Sequence, residues 1–274
     1  MPTLAGPLRA GILVLAGLVL AGVASCTRLG RSADVVFARD PDVLYGVETD
    51  ASALALTLDD GPDPETTPAL LRLLAEHGAR ATFFLIADRV EGREEILDAI
   101  VAGGHEIGNH GLHDVPSIDL APEVFEHQLL EAHRKLSPWA TPQWFRPGSG
   151  WYEPWMLEVL ARHGYRCVLG SSHPFDAQLP WVWLALRWLS IDAEPGEVIV
   201  LHDGGERGLR TVQVLESLLP ELARRGLRVV TLSELVALGD SPVHGATARP
   251  SAAVAVGPGE GLSWASPFLE RRTP

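Results

Sequence analysis

The 274-residue sequence contains only two cysteines and few basic residues relative to its acids. Its 22 Lys and Arg residues stand against 35 Asp and Glu residues, which gives a formal net charge of −13 at pH 7. This balance disfavours nucleic acid and anionic membrane surfaces as partners, because both bind proteins through clusters of Lys and Arg. The hydrophobic fraction of 46% is enough for a substantial core and argues against a chain that is disordered over its whole length. The length allows one large α/β domain or two small ones.

The N-terminal region lacks an apolar run long enough for a typical transmembrane helix. Residues 10–23 are apolar, but a membrane-spanning helix needs about 20 such residues. The run follows a single charge, Arg9, and ends in small residues before Cys26, which is typical of a signal peptide. The tetrad Val-Ala-Ser-Cys at 23–26 resembles a bacterial lipobox, in which the cysteine becomes the lipidated first residue of the mature protein. An ordinary secretory signal and an uncleaved anchor are the alternatives.

These features predict an exported protein that a lipid on Cys26 anchors to the bacterial cell membrane or envelope. Residues 1–25 would be the lipoprotein signal peptide and residues 26–41 a short polar tether. With Cys26 lipidated, no disulfide can form, because Cys167 is the one other cysteine. Cys167 lies in an apolar, strand-like run without an evident base nearby, so we expect a small buried hydrophobic residue rather than a nucleophile.

Strand-like and helical patterns alternate between residues 42 and 238, without an internal repeat. The apolar run Ala53–Leu58 precedes a helical pattern at Thr67–Glu76, and about seven such units follow one another. Alternation of this kind predicts a single α/β domain whose parallel sheet can close into a barrel. The segment 239–274 is rich in Pro, Ala and Gly without a period, which predicts a disordered tail.

Two adjacent carboxylates, Asp59 and Asp60, stand at the end of the first strong strand, in Thr-Leu-Asp-Asp-Gly-Pro. Adjacent carboxylates repel each other, so both remain ionised only beside a cation or hydrogen-bond donors. One of them can bind a metal ion while the other acts as a base toward water. The alternative is a plain turn, since Asp-Gly and Gly-Pro are common turn sequences.

A histidine cluster follows a later predicted strand. His110 ends the segment Gly-His-Glu-Ile-Gly-Asn-His at 104–110, and His113 and Asp114 come three and four residues later. A ligand at either spacing can share one divalent ion with His110 on a turn or short helix. A single histidine is more often a core or surface residue, but the acid pair favours a metal site here.

Polar residues at two further strand ends, and one loop acid, complete the candidate site. Arg146 follows a predicted strand, and an arginine there can hold a carboxylate with two hydrogen bonds. His202 ends another strand, where it is placed to act as a general acid. Asp176 is a third candidate, although an aspartate that caps its own loop is the alternative.

These motifs, in this order, resemble those of the polysaccharide deacetylases (carbohydrate esterase family 4). That family includes chitooligosaccharide, chitin and peptidoglycan N-acetylglucosamine deacetylases. The resemblance extends from about Tyr45 to Leu238. TLDDGP matches the family's TFDDGP, GHEIGNH its second motif, RPGSG its Arg-Pro-Pro-aromatic-Gly, and VLHDGG its Leu-x-His. The resemblance implies a distorted (β/α) barrel. It also implies a metal-dependent hydrolase that removes N-acetyl groups from chitin-like or peptidoglycan glycans containing N-acetylglucosamine.

The resemblance also implies roles for individual residues. The implied roles are general base for Asp59, metal ligand for Asp60 and His110, general acid for His202, clamp of the base for Arg146, and partner of His202 for Asp176. The family's second histidine, four residues after the first, is replaced by Asp114. Register therefore favours Asp114 as the third ligand, whereas ligand chemistry alone favours His113. One divalent ion is expected, zinc by ligand type, with cobalt, manganese or nickel also accepted.

A second departure lies in the third motif, and two other functions fit the same residues. Gly148 and Ser149 replace a proline and an aromatic residue, so the backbone N–H expected to bind the oxyanion belongs to Ser149. Trp181, Trp183 and Trp188 are candidates for stacking on sugar rings, or for the core. The alternatives are an inactive glycan-binding lipoprotein and a related metal hydrolase of small amides or O-acetyl esters.

Overall fold

The computed structural model describes residues 40–176, 179–239 and 241–243. The strands within these ranges are β1 (Val43–Leu44), β2 (Gly46–Glu48), β3 (Ala53–Gly61), β4 (Ala81–Leu85), β5 (Glu106–Asn109), β6 (Trp144–Phe145), β7 (Arg166–Val168), β8 (Val198–His202), β9 (Arg228–Val230) and β10 (Ser241–Val243). The α-helices are α1 (Thr66–Glu76), α2 (Glu94–Ala102), α3 (Pro122–Leu136), α4 (Pro154–Arg162), α5 (Val182–Asp192), α6 (Gly205–Arg224) and α7 (Leu232–Leu238).

Eight of the described strands form one parallel sheet that curves into a barrel. Its order is β1-β7-β6-β5-β4-β3-β8, and β9 pairs with the first residues of β3 on the side that β4 occupies further along. The segment after β7 reaches β8 through a parallel bridge between Ser172 and Ile199. The predicted parallel (β/α) barrel is therefore confirmed. The sequence patterns missed β1, because two residues are too few to show a period.

Strand β3 pairs with β4, β8 and β9 and is buried along its whole length. Successive side chains of a strand point to opposite faces. Leu54, Leu56 and Leu58 pack in the cluster that joins the sheet to the helices. Ala53 and Ala55 face the other way, into a second cluster that includes Phe84 and Trp144 from neighbouring strands. Asp59 continues that second face, which directs it toward the barrel axis at the carboxyl end of the strand.

Several predicted features fall at the edges of the described structure or outside it. Cys26, the signal peptide and nearly all of the tether lie outside the described residues, as do 240 and 244–274. Ser241–Val243, within the segment predicted to be a tail, pairs antiparallel with β2. In the described ranges, none of the helices combines the length and apolarity that a membrane span requires. Cys167 is a buried free thiol, as predicted.

Candidate active site

The predicted site residues meet at the carboxyl-terminal edge of the barrel. Parallel strands end at the same edge, so residues far apart in the sequence converge there. They line one pocket of about 680 Å³. The predicted residues in its wall are Asp59, Asp60, His110, Asp114, Arg146, Asp176 and His202.

Arg146 holds Asp59 in place beneath this pocket. Its Nη1 donates to Asp59 Oδ1 at 2.6 Å and to Thr57 Oγ1 at 2.7 Å. The arginine is 2% exposed, and its guanidinium lies 4.2 Å from the centre of the Phe84 ring. A hydrogen bond of this length to a buried guanidinium fixes the orientation of the carboxylate. Asp59 is therefore held in a single orientation toward the pocket.

An irregularity in β3 brings the neighbouring carboxylate to the same pocket. In a regular strand, Asp59 and Asp60 would face opposite sides of the sheet. The pairing of β3 with β4 shifts register between Asp59 and Gly61, and Asp60 has a positive φ of 74°. Aspartate tolerates this left-handed conformation better than most residues, and a bulge of this kind redirects a side chain. Both carboxylates consequently line one cavity.

Asp60 faces His110, whose ring orientation is fixed by a hydrogen bond to the backbone of Arg146. His110 Nδ1 donates to the carbonyl oxygen of Arg146 at 2.8 Å, which leaves Nε2 pointing at Asp60 Oδ1, 3.4 Å away. Burial alone lowers the pKa of His110, but the charges of Asp59 and Asp60 outweigh it and raise the pKa. Burial also acts to raise the pKa of Asp60, yet His110, His202 and Arg207 together lower it to about 2. When His110 is protonated, its Nε2 and Asp60 Oδ1 form an ion pair.

Asp60 and His110 fit a divalent cation, whereas the third donor is not in place. A metal-binding histidine commonly donates its other ring N–H to a carbonyl, as His110 does. Asp114 lines the same pocket, but its carboxylate is 63% exposed and lies 2.6 Å from Arg89 Nη2. His113 turns to Asp88, with 2.5 Å between Nδ1 and Oδ2. Within the described residues, no three His, Cys, Asp or Glu side chains converge as a ready metal site.

His202 and Asp176 form a hydrogen-bonded pair on the opposite wall of the pocket. His202 Nδ1 donates to Asp176 Oδ2 at 2.8 Å, and the His202 backbone N–H donates to the same oxygen. Burial lowers the pKa of His202, but the Asp176 hydrogen bond and the nearby Asp59 and Asp60 charges raise it overall. The pair therefore favours a protonated imidazole with Nε2 available for a hydrogen bond or proton transfer.

Sequence reasoning missed two arginines that contact Asp60. Arg207 Nη1 donates to Asp60 Oδ2 at 3.0 Å, which leaves the other carboxylate oxygen to face His110. Arg89 donates to the Asp60 carbonyl oxygen as well as to Asp114. A weak signal for Arg207 existed, because it lies in the first turn of a helix that begins just after the fourth motif.

Asp203, next to His202, joins the first and fourth motifs beneath the site. It is buried and accepts hydrogen bonds from the hydroxyls of Thr66 and Thr67 at the start of α1. Its backbone N–H donates to the Asp59 carbonyl oxygen at 2.6 Å. Burial raises the pKa of Asp203 to about 6, against the lowering effect of the two threonines. Its contacts give it a structural role in aligning the two strand ends.

The loop after β6 leaves no room for a side chain at position 148. A Cβ atom on Gly148 would lie 2.3 Å from the carbonyl oxygen of Val115, so the loop requires glycine at this position. Ser149 follows with a φ of 66°, and both residues line the catalytic pocket. Trp151 lies on the pocket rim with 68% of its surface exposed. Trp181 and Trp183 are also exposed, so they are not core residues.

Known proteins share this sequence and architecture. Residues 46–168 match the family model described as polysaccharide deacetylase. A peptidoglycan-N-acetylglucosamine deacetylase of Bacillus cereus is 36% identical over 197 residues, which cover 71% of this chain and 92% of that protein. A chitooligosaccharide deacetylase of a Bradyrhizobium species is 31% identical over 205 residues, which cover 70% of this chain and 94% of that one.

A solved structure extends the similarity to three dimensions. The crystal structure of a peptidoglycan N-acetylglucosamine deacetylase, in complex with an N-oxidanyl-benzamide, superposes with a TM-score of 0.68 at 26% identity. The match covers 73% of this chain and 94% of that chain. The described domain thus spans nearly the full length of these proteins, and its four motifs line one pocket. The chain therefore belongs to the polysaccharide deacetylase family and is an enzyme of that class.

Proposed function

We propose that the protein is a metal-dependent hydrolase that removes N-acetyl groups from a glycan containing N-acetylglucosamine, of the chitin or peptidoglycan type. The observation that carries this proposal is the convergence of three residue pairs on one pocket. The pairs are Arg146 with Asp59, Asp60 with His110, and Asp176 with His202. Binding a glycan without hydrolysis requires neither a clamped buried carboxylate nor an acid–histidine pair. The set therefore supports catalysis over passive binding.

The ion would be held by Asp60 and His110, with Asp114 as the third protein ligand. A bound divalent cation lowers the pKa of a water molecule and polarises the acetyl carbonyl. Zinc is the first expectation because imidazole is among its common ligands. Two carboxylates beside one imidazole form a harder donor set, which also suits cobalt, manganese or nickel.

Asp59 acts as the general base in this mechanism. Its carboxylate accepts a proton from the attacking water molecule, whose oxygen then forms a bond to the acetyl carbon. Arg146 holds the Asp59 carboxylate in position at the pocket before the reaction. In this proposal the backbone N–H of Ser149, whose residue lines the pocket, stabilises the developing oxyanion.

His202 acts as the general acid. As the carbon–nitrogen bond of the tetrahedral species breaks, the imidazolium donates its proton to the departing sugar nitrogen, which leaves as an amine. Acetate is the other product. Asp176 holds the imidazole in orientation and stabilises its charged form. Trp151, exposed on the rim, offers an aromatic face on which a sugar ring can stack.

Acetate release tests this function directly. The protein would be incubated with chitooligosaccharides and with peptidoglycan, with and without a chelator. We expect acetate and free amine from at least one of the two glycans, and chelation should abolish both products. Release only from O-acetyl esters or small amides would replace the proposal with the corresponding hydrolase. No release from any acetylated substrate with metal restored would favour an inactive glycan-binding protein.

The pH dependence of kcat should show the effect of Asp176 on the pKa of His202. The acid must be protonated to work, so activity falls as pH rises through the pKa of His202. Because Asp176 raises that pKa, Asp176→Asn should move the alkaline limb of the kcat–pH profile to lower pH. The measurement is a full pH profile of both chains, with His202→Ala as an inactive reference. An unmoved limb would remove Asp176 from the mechanism and leave His202 as the acid.

The cellular location is a separate proposal. Its support is the Val-Ala-Ser-Cys tetrad at 23–26, which follows a short apolar run behind a single basic residue. We propose that Cys26 is the lipidated first residue of the mature protein and anchors the enzyme to the membrane or envelope. A location outside the cytoplasm also places the enzyme beside cell-wall glycans.

Cys26→Ala should give an uncleaved precursor that incorporates no fatty acid. The measurement is labelling with a radioactive or alkyne-tagged fatty acid in a bacterial host, followed by sizing of the product. Cys167→Ala is the matched control, because that thiol is buried in the barrel and should not affect labelling. Normal lipid incorporation into Cys26→Ala would rule out the proposed anchor.

A further inference from the structure

Helix α5 packs against α6 at the surface of the barrel, yet it is apolar around its whole circumference. Eight of its eleven residues are apolar, and the exceptions are Arg187, Ser190 and Asp192. A helix of this kind is normally covered on every side, either in a protein core or in a membrane. Ala185 and Leu189 face the barrel and are buried, but the opposite side of the helix is exposed to solvent. The helix therefore has more apolar surface than the described fold covers.

The exposed side of α5 carries large apolar side chains around a single charge. Trp183 and Ile191 are 68% and 38% exposed, and the exposed Arg187 lies between them at a spacing of four residues, which places all three on one side of the helix. Trp181, immediately before the helix, is 52% exposed. These four residues form what we call the outer surface of α5. Its one charge is basic, and phosphate groups attract a basic side chain.

This combination of side chains matches the interface of a phospholipid bilayer. Tryptophan is enriched there, because its ring is apolar while its N–H can form a hydrogen bond at the level of the headgroups. A helix can lie in the plane of the interface without crossing the bilayer. Contact of this kind depends on burial of apolar surface. The acidic net charge of the chain disfavours electrostatic attraction to anionic lipids and does not oppose apolar contact.

The path of the chain into the domain brings the outer surface of α5 near the proposed lipid anchor. The Val47 backbone N–H, soon after the first described residues, donates to the Gly196 carbonyl oxygen at 2.9 Å. Gly196 comes only four residues after the end of α5. Residues 26–39 are 14 residues, which span at most about 50 Å when fully extended. A lipid on Cys26 would therefore keep this side of the domain close to the bilayer.

We infer that the outer surface of α5 docks on the phospholipid bilayer that holds the anchored protein. The inference rests on the lipid anchor proposed above and adds a second point of contact, which fixes the orientation of the domain. Phe175 lines the catalytic pocket and packs edge to face against Trp188 of α5, with 5.6 Å between the ring centres. The docked surface therefore adjoins the catalytic pocket and holds it near the bilayer, where it acts on glycan close to the membrane.

Quenching of tryptophan fluorescence by brominated lipid tests the inference. The full mature chain would be reconstituted in phosphatidylcholine vesicles with brominated acyl chains, and flotation would measure attachment separately. Bromine quenches only indoles that reach the acyl chains, so the parent chain should lose part of the emission of its eight tryptophans. The double variant Trp181→Ser with Trp183→Ser should lose most of this quenching and still float, because its anchor is intact. Quenching should change little with salt, because the contact is apolar.

Trp139→Phe is the matched control. Trp139 lies between α3 and β6, away from α5, and its indole N–H donates to Asp98. This variant should keep the quenching of the parent chain, and thermal unfolding checks that every variant folds. Absence of quenching in the parent chain would overturn the inference. Equal quenching in the parent chain and the double variant would overturn it as well.

Other occupants of the outer surface of α5 give different results. Unquenched tryptophans, together with a dimer in mild detergent that the double variant abolishes, would assign the surface to a second copy of the chain and overturn the inference. Unquenched tryptophans with a raised KM of the double variant for soluble chitooligosaccharides would assign it to the sugar, with the same consequence. Acetate release by the parent chain and fatty-acid labelling of Cys26 test the proposed function and the anchor separately, so their failure is distinguishable from a failure to dock.

Discussion

Asp59→Asn should lower kcat by about 10²–10⁴, the usual effect of losing a general base. The substitution keeps the shape of the side chain, and its carbonyl oxygen can still accept the hydrogen bond from Arg146. What it removes is the ability to take a proton from water. Asp59 Oδ1 is bound to the arginine, whereas Asp60 Oδ1 is the oxygen that faces His110. Metal content should therefore remain close to that of the parent chain.

Asp60→Asn is the comparison that separates a base from a ligand. It removes a charge of the same sign one residue away, but it should reduce bound metal as well as kcat. Metal content after dialysis would be measured by elemental analysis, and kcat at saturating metal. If Asp59→Asn lost as much metal as Asp60→Asn, Asp59 would be a ligand and the assignment of the base would be wrong.

Asp114→Ala should remove the ion and most of the activity, whereas His113→Ala should stay within a few-fold of the parent. Asp114 lines the pocket that holds Asp60 and His110, and His113 is turned away to Asp88. For Asp114 to bind the ion, its contact with Arg89 must open. An exposed ion pair of this kind contributes only about 0–1 kcal/mol, which is small beside the attraction of a divalent cation for a carboxylate.

The measurement is metal affinity and rate for both alanine variants, with rates at saturating metal. Arg89→Gln adds a third arm, because it frees Asp114 without changing any ligand. Under our assignment, Arg89→Gln should bind metal at least as tightly as the parent chain does. The reverse pattern, in which His113→Ala loses the ion and Asp114→Ala does not, would give the role to His113. Equal severe losses in both would mean that both residues support the ion.

The sequence alone determined the class of fold and the location of the site. Apolar runs that end in acids, an arginine or a histidine, separated by helical patterns, specify parallel strands whose functional residues follow the strand ends. Asp59, His110, Arg146 and His202 were found this way, and all of them line one pocket. Each is part of a short contiguous motif, so its position relative to its own strand is a local property of the chain.

The tertiary structure decided how the side chains face each other, because those contacts join distant segments. The register shift that turns Asp60 toward His110 depends on pairing between β3 and β4. Arg207 reaches Asp60 across 147 positions in the sequence, and its place in the first turn of a helix does not specify that partner. Closure of the barrel likewise depends on the two-residue strand β1 and on a single bridge from Ser172, which are too short to produce a periodic signal. Periodicity reports which face of an element is buried, whereas the partner on the other side is set by packing of the whole chain.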